Sequence, residues 1–243
     1  MANSYSLDLE ASSSQFAAIG DGSQTGLDLS GDHTVESWVR MESLPGNGTY
    51  MLLVAKHGTT GSFGYFWGIY NNGGTYELRG GWSANGTNFD SHSYSLGTFN
   101  TATWYHVAIG VTISSHTAEF YKDGVSLGTD ATGTLTSINN NNQTFYVGVL
   151  DQGGGSGYFD GLRDETRVWN VTRSTADILA NMRKDVTGQT GLQAYWKFEN
   201  DYTDASGNSN TLTGNNSPTF SATVPFADYT ADSTGASFLL NFI

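Results

Sequence analysis

Residues 157 to 169, GYFDGLRDETRVW, set three carboxylates, Asp160, Asp164 and Glu165, inside one short stretch. Carboxylates so close could form an acid pair for hydrolysis, hold a cation, or belong to the framework of a strand. Successive side chains of a strand alternate faces, which sends Asp164 and Glu165 to opposite sides. Asp160 and Asp164 share a face, but four residues of strand separate them by roughly 13 Å. Glycosidases need carboxyl pairs about 5–5.5 Å or about 6.5–9.5 Å apart. The stretch therefore does not form a self-contained acid pair, and an enzyme would need a cross-strand partner such as Glu36. On the same alternation Glu165 falls between Arg163 and Arg167, which predicts a solvated ion-pair ladder. Asp164 falls with Leu162 and Val168, which predicts at least partial burial and the need for a partner: a cation, backbone N–H groups or a hydroxyl.

Other residues offer other chemistries. The loop GDGSQTGLD (20 to 28) carries Asp21, Ser23 and Asp28 among glycines that can turn carbonyls inward, the oxygen-rich surroundings calcium prefers. The same acids read equally as turn residues, and the spacing is not that of an EF-hand. The five histidines show no zinc spacing, there is no Cys, and no G-x-S-x-G elbow occurs. Aromatic and amide side chains interleave from residue 63 to 94, a composition suited to stacking sugar rings and bonding their hydroxyls. In GYFWGIYNN, alternation puts Tyr65, Trp67 and Ile69 on one face and Phe66 and Tyr70 on the other, with at least one set in the core. Trp82 and the following loop, with Asn85, Asn88 and Asp90, form the expected exposed ligand site. Asn141 in NNNNQ and Asp151 in DQGGGSG would join it from polar loops at one end of neighbouring strands. Each aromatic could instead be core, and each polar loop a solvated turn.

The elements that must position these residues are short strands. Runs such as TVESWVRM, YMLLVAKH and WYHVAIGVTI alternate between apolar and other residues or stay apolar, and Gly and Asn punctuate them. Asp123-Gly124 between alternating runs is a strong hairpin signal. One helix is predicted in STADILANMRKD, with Ser174 as N-cap and Asp177 closing a capping box. The 243 residues contain 31 Gly, 3 Pro and 13% aromatics, which suits one large β domain. The formal net charge of −13 argues against nucleic acid and against docking on anionic membranes. No apolar run is long enough to insert into a bilayer. The N-terminus shows no signal-peptide pattern. Residues 1–226 read as one domain and 227–243 as a tail. The closing SFLLNFI is expected either to add as a strand to a neighbour, giving self-association, or to fold back as an edge strand.

In order, HTVESWVRMESLP, TWYHVAIGV, AEFYKDGVSLGT, FYVGV and YFDGLRDETRVWNVTRSTADILANM resemble the laminin-G-like branch of the concanavalin A-like lectin/glucanase superfamily. The resemblance implies an all-β jelly-roll sandwich of two antiparallel sheets with one short surface helix, often with a structural calcium. By that resemblance Asp21, Ser23, Asp28 and Asp164 are the expected calcium ligands. The closely alternating E-x-D-x-x-E run of the superfamily's glucanases is missing. The expected function is a non-catalytic carbohydrate-binding or adhesion module, calcium-stabilised, taking a glycan or surface polysaccharide outside cells or on a cell or virion surface. The alternative is a structural or decoration protein of a virion or cell-surface assembly. A glycoside hydrolase is the third reading, since the fold hosts several activities.

Overall fold

The computed structural model describes residues 2–133, 135–150 and 155–230. Its strands are β1 (Ser6–Leu9), β2 (Phe16–Ile19), β3 (His33–Met41), β4 (Tyr50–Lys56) and β5 (Tyr65–Asn72). They continue with β6 (Thr75–Trp82), β7 (Asp90–Ser95), β8 (Trp104–Thr112), β9 (Thr117–Lys122) and β10 (Val125–Ala131). β11 (Phe145–Val147), β12 (Gly161–Trp169), helix α1 (Thr175–Asn181), β13 (Leu192–Trp196), β14 (Thr213–Asn215) and β15 (Thr219–Ser221) follow. Every pairing is antiparallel. One sheet runs β10-β9-β8-β3-β12-β1-β15, with β13 beside β12, and the other runs β14-β2-β11-β4-β5-β6-β7. This is the expected all-β sandwich of two sheets.

The core lies between the sheets, because alternation sends one set of side chains inward from each. Val35, Val39, Val107, Ile109, Phe120 and Val168 meet Leu53, Tyr65, Trp67, Ile69, Leu78 and Trp82 there. The β9–β10 hairpin turns at Asp123 and Gly124, whose φ values are 52° and 74°, the left-handed pair that a two-residue hairpin turn requires. α1 starts as its sequence predicts: the Ser174 side chain accepts from the Asp177 N–H, and the Asp177 carboxylate accepts in return. Its Ile178 packs on Ala108 and Tyr121, so the helix covers the outer face of the 8-stranded sheet.

The end of the described chain covers that same face. The Asn3 N–H donates to Ala227 O at 2.9 Å and Ala2 bridges Asp228. Phe226 lies 5.9 Å from the Trp38 ring. Residues 227–230, counted with the tail in the sequence, thus pack on the sandwich. Phe238 to Ile243 of the expected docking arm lie outside the described residues.

Candidate functional site

The three carboxylates of GYFDGLRDETRVW sit in or beside β12, and a β-bulge decides their roles. Asp164 pairs with Trp38 and Arg167 with Glu36, so Glu165 and Thr166 together oppose Ser37. Two residues against one reverse the alternation, and Glu165 takes the left-handed φ of 50° that makes this possible. Asp164 and Glu165 consequently share the outer face, correcting the expectation of opposite faces. The two arginines part instead. Arg163 points into the sandwich and donates to Leu53 O at 2.6 Å, and burial lowers its pKa to about 9. Glu165 is not a solvated ladder residue either. It is fully buried, paired with Arg167 at 2.6 Å and hydrogen-bonded by the Tyr195 and Tyr229 hydroxyls.

Asp164 is buried as expected, and its partners are Asn3 Nδ2 at 2.9 Å and the Glu165 N–H at 2.8 Å. Burial, then the neighbouring Glu165 charge, raises its pKa well above the usual 3.8. A protonated Asp164 can also use Asn3 Oδ1, a buried atom without a partner, once the Asn3 amide is turned. In the folded protein the acid keeps a proton that the unfolded chain releases above about pH 4, so this group's contribution to stability falls as pH rises. Asp164→Asn should therefore melt with the wild type near pH 4 and increasingly above it towards pH 8. Scanning fluorimetry across that range checks this, and a constant difference would refute the neutral acid. Asp160 holds the Ala11 N–H at 3.0 Å and the Ser43 hydroxyl at 2.5 Å. Asp160, Asp164 and Glu165 are thus each engaged by donors of the framework.

The expected calcium ligands do not converge. Asp21 and Asp28 close on the buried Lys56 ammonium, at 2.7 and 2.9 Å. Asp164 lies across the sandwich, on the outer face of the other sheet. Between Asp21 and Asp28 the positive charge is already supplied by a lysine, so the set does not fit a cation. Asn141 belongs to the same framework: its Oδ1 accepts from the Gln143 N–H, its Nδ2 donates to Ser62 O, and it is 8% exposed.

The aromatic site is partly assembled as expected. Trp82, Asn85, Asn88 and Asp90 line one cleft of about 200 Å³. Trp82, however, is fully buried, because Tyr76, Leu78, Gly80 and Trp82 alternate on the inner face of β6. Asn85 is spent on its own loop, accepting from the Thr87 and Asn88 N–H groups. Asp151 lies outside the described residues.

A larger groove, about 570 Å³, opens beside this cleft on the outer face of the 7-stranded sheet, and Phe89 lines both. Its walls include Tyr50, His57, Phe63 and Phe66, with Ser91 and Ser156 among the polar groups. Phe89 stacks on Phe66 at 5.1 Å, and His57 stacks on Phe63 at 4.7 Å. A Cβ on Gly81 would fall 2.1 Å from the Phe89 ring, so the bare backbone at Gly81 is what lets the ring lie over the sheet. Burial lowers the His57 pKa to about 4, which leaves this imidazole neutral at pH 7. Sequence reading had left Phe66 facing away from the Tyr65–Trp67 set, but nothing local revealed that Phe63, Phe66 and Phe89 would meet.

His92 was also missed. It sits on the edge strand β7, 3.0 Å from Asp90 and 2.8 Å from Asp130 of β10, and so ties the free edges of the two sheets. Burial alone would lower its pKa, but the two carboxylates raise it.

Two facing antiparallel sheets with an aromatic groove on one outer face define a lectin-type sandwich. The family model of the concanavalin A-like lectin/glucanases superfamily matches residues 11–179, and the chain belongs to that superfamily. No curated protein matches it significantly. Among solved structures it is similar to a candidate carbohydrate-binding protein from Bacteroides ovatus, with TM-score 0.69 and 21% identity over 94% of this chain. This chain spans 62% of that protein's length. It also resembles a heptameric SAP-like pentraxin from Limulus polyphemus, with TM-score 0.65 and 14% identity over 90% of this chain and 94% of that one. The CBM40 of the Ruminococcus gnavus IT-sialidase, bound to α2,3-sialyllactose, matches with TM-score 0.53 and 14% identity over 74% of this chain and 98% of that one. These likenesses are of fold. No helix among the described residues is long and apolar enough to cross a membrane.

Proposed function

We propose that the chain is a non-catalytic carbohydrate-binding module whose ligand lies in the groove on the outer face of the 7-stranded sheet. The observation that carries this is the groove of about 570 Å³ walled by Tyr50, Phe63, Phe66 and Phe89, since aromatic faces and scattered hydroxyls suit the apolar faces and polar edges of sugar rings. The carbohydrate binding named for the Bacteroides ovatus protein and the sialyllactose bound by the CBM40 support the same reading. The non-catalytic part rests on the buried or backbone-bound state of Asp160, Asp164 and Glu165. Adhesion through a surface polysaccharide, and a setting outside cells or on a cell or virion surface, belong to the same proposal. Calcium also stays within it, without the loop of Asp21 and Asp28 as its cradle. Elemental analysis and melting with and without chelator test that part.

Phe89→Ala is the direct test of the groove. Phe89 is 36% exposed, so the fold should persist. Losing the ring from a stacked sugar removes about 1.5–3 kcal/mol, or roughly a 10- to 150-fold rise in Kd. Affinity electrophoresis on polysaccharide gels, followed by calorimetry on the hits, reads this. Retardation identical in both proteins would move the ligand elsewhere.

A further inference from the structure

We infer that the cleft beside the groove is a subsite for one neutral sugar residue, whose hydroxyls pair with the Thr132 hydroxyl and the Trp82 indole N–H. This rests on the carbohydrate-binding reading and deepens it. Both residues line the cleft of about 200 Å³. Thr132 is 1% exposed and Trp82 fully buried, yet neither Thr132 Oγ1 nor Trp82 Nε1 has a hydrogen-bond partner. Buried polar groups are nearly always paired, so an orphan pair lining one cleft calls for an explanation. A hydroxyl-bearing ring supplies both an acceptor for the indole and a partner for the threonine. Asn88 and Asp90, exposed on the same cleft, offer further polar contacts. Phe89, the wall shared with the groove, places this residue next to the sugars bound outside.

The charges select against an acidic ring. Asp90, on the cleft, and Asp130 are about half exposed and hold His92 between them, raising its pKa. With both ring nitrogens of His92 taken by carboxylates, the imidazole is not free to receive a third. Among the described residues no Lys or Arg lines the cleft; the nearest guanidinium to the groove wall is Arg79, which donates to the Tyr50 hydroxyl at 3.0 Å. A uronic or sialic acid carboxylate seated in the cleft would meet the Asp90 carboxylate.

Thr132→Val provides a test with two independent readouts. Valine keeps the shape and removes a hydroxyl that the free protein leaves unpaired, so the melting temperature should hold or rise. Where a sugar hydroxyl loses its partner, Kd should rise roughly 5- to 150-fold. Calorimetry would use cellohexaose, laminarihexaose, mannohexaose and xylohexaose as neutral probes, with hexagalacturonate and 3′-sialyllactose as acidic ones. At least one neutral probe should bind, the acidic ones at least tenfold more weakly. Preference for an acidic probe would overturn the neutral subsite while leaving carbohydrate binding intact. So would a neutral probe that binds the variant and the wild type equally, or a variant that loses stability but not affinity. If no probe binds the wild type, the carbohydrate reading falls and the subsite falls with it.

Discussion

Arg167→Ala is expected to destabilise the protein by about 3–5 kcal/mol, the usual cost of leaving buried charge without its partner. The guanidinium lies 2.6 Å from Glu165 and 3.5 Å from Glu36, and it donates to the carbonyls of Asn181 and Lys184 at 3.0 and 2.9 Å. It thereby ties β12 to β3 and to the segment following α1. Burial works to raise the Glu36 pKa, but the His106 hydrogen bond and the Arg167 charge outweigh it and hold the pKa at about 2. Glu36 is therefore ionised while Arg167 is in place, and removing the arginine lets burial push its pKa back up. The melting temperature should fall by roughly 6–20 °C. Arg167→Lys should rescue little, because a single ammonium cannot reach two carboxylates and two carbonyls set around a planar fork. Melting curves of the two variants decide it, and two transitions close to the wild type's would show that the cluster is held by something else.

Cutting the chain after Pro225 should cost about 3–6 kcal/mol, whereas cutting after Thr230 should cost little. The first cut removes Tyr229, whose hydroxyl donates to the buried Glu165 at 2.7 Å, a bond to a charged group that contributes about 1.5–3 kcal/mol. It also removes Phe226 from the Trp38 face, where burial of one aromatic contributes about another 1.5–3 kcal/mol. The second cut keeps both, together with the Thr230 N–H bond to Arg183 O at 2.9 Å. Comparing the two by thermal melting checks the strap, and equal losses would refute it. Light scattering on the Thr230 truncation separately tests the docking arm: a smaller particle at an unchanged melting temperature supports an assembly role for residues 231–243, and an unchanged particle removes it.

Much of this architecture is legible where local rules act alone. The Ser174–Asp177 cap, the Asp123-Gly124 turn and the core face of β5 each follow from a few adjacent residues. The roles of Asp164 and Glu165 were not, because they depend on a bulge formed by a glutamate in a left-handed conformation, and such a residue carries no local mark as glycine would. Trp82 was readable and misplaced: its parity with Leu78 puts it in the core, and the polar loop after it drew the opposite expectation. Asp21 and Asp28 look alike in sequence whether they hold a metal or a lysine, and Lys56 is distant in the chain. The groove was hidden for a related reason. Phe63, Phe66 and Phe89 come from separate segments, and only sheet pairing brings them together.

The strap has a consequence for how the domain can be carried. Ala2 and Asp228 lie side by side on the outer face of the 8-stranded sheet, and the groove opens on the outer face of the opposite sheet. The two ends of the described chain thus meet on the face turned away from the aromatic groove. A pull applied through both ends would load that small antiparallel contact before it reached the sandwich. Joining Ala2 to Thr230 with a short linker and opening the chain at an exposed loop should be tolerated, which makes circular permutants a practical way to present the groove at a chosen angle to a support.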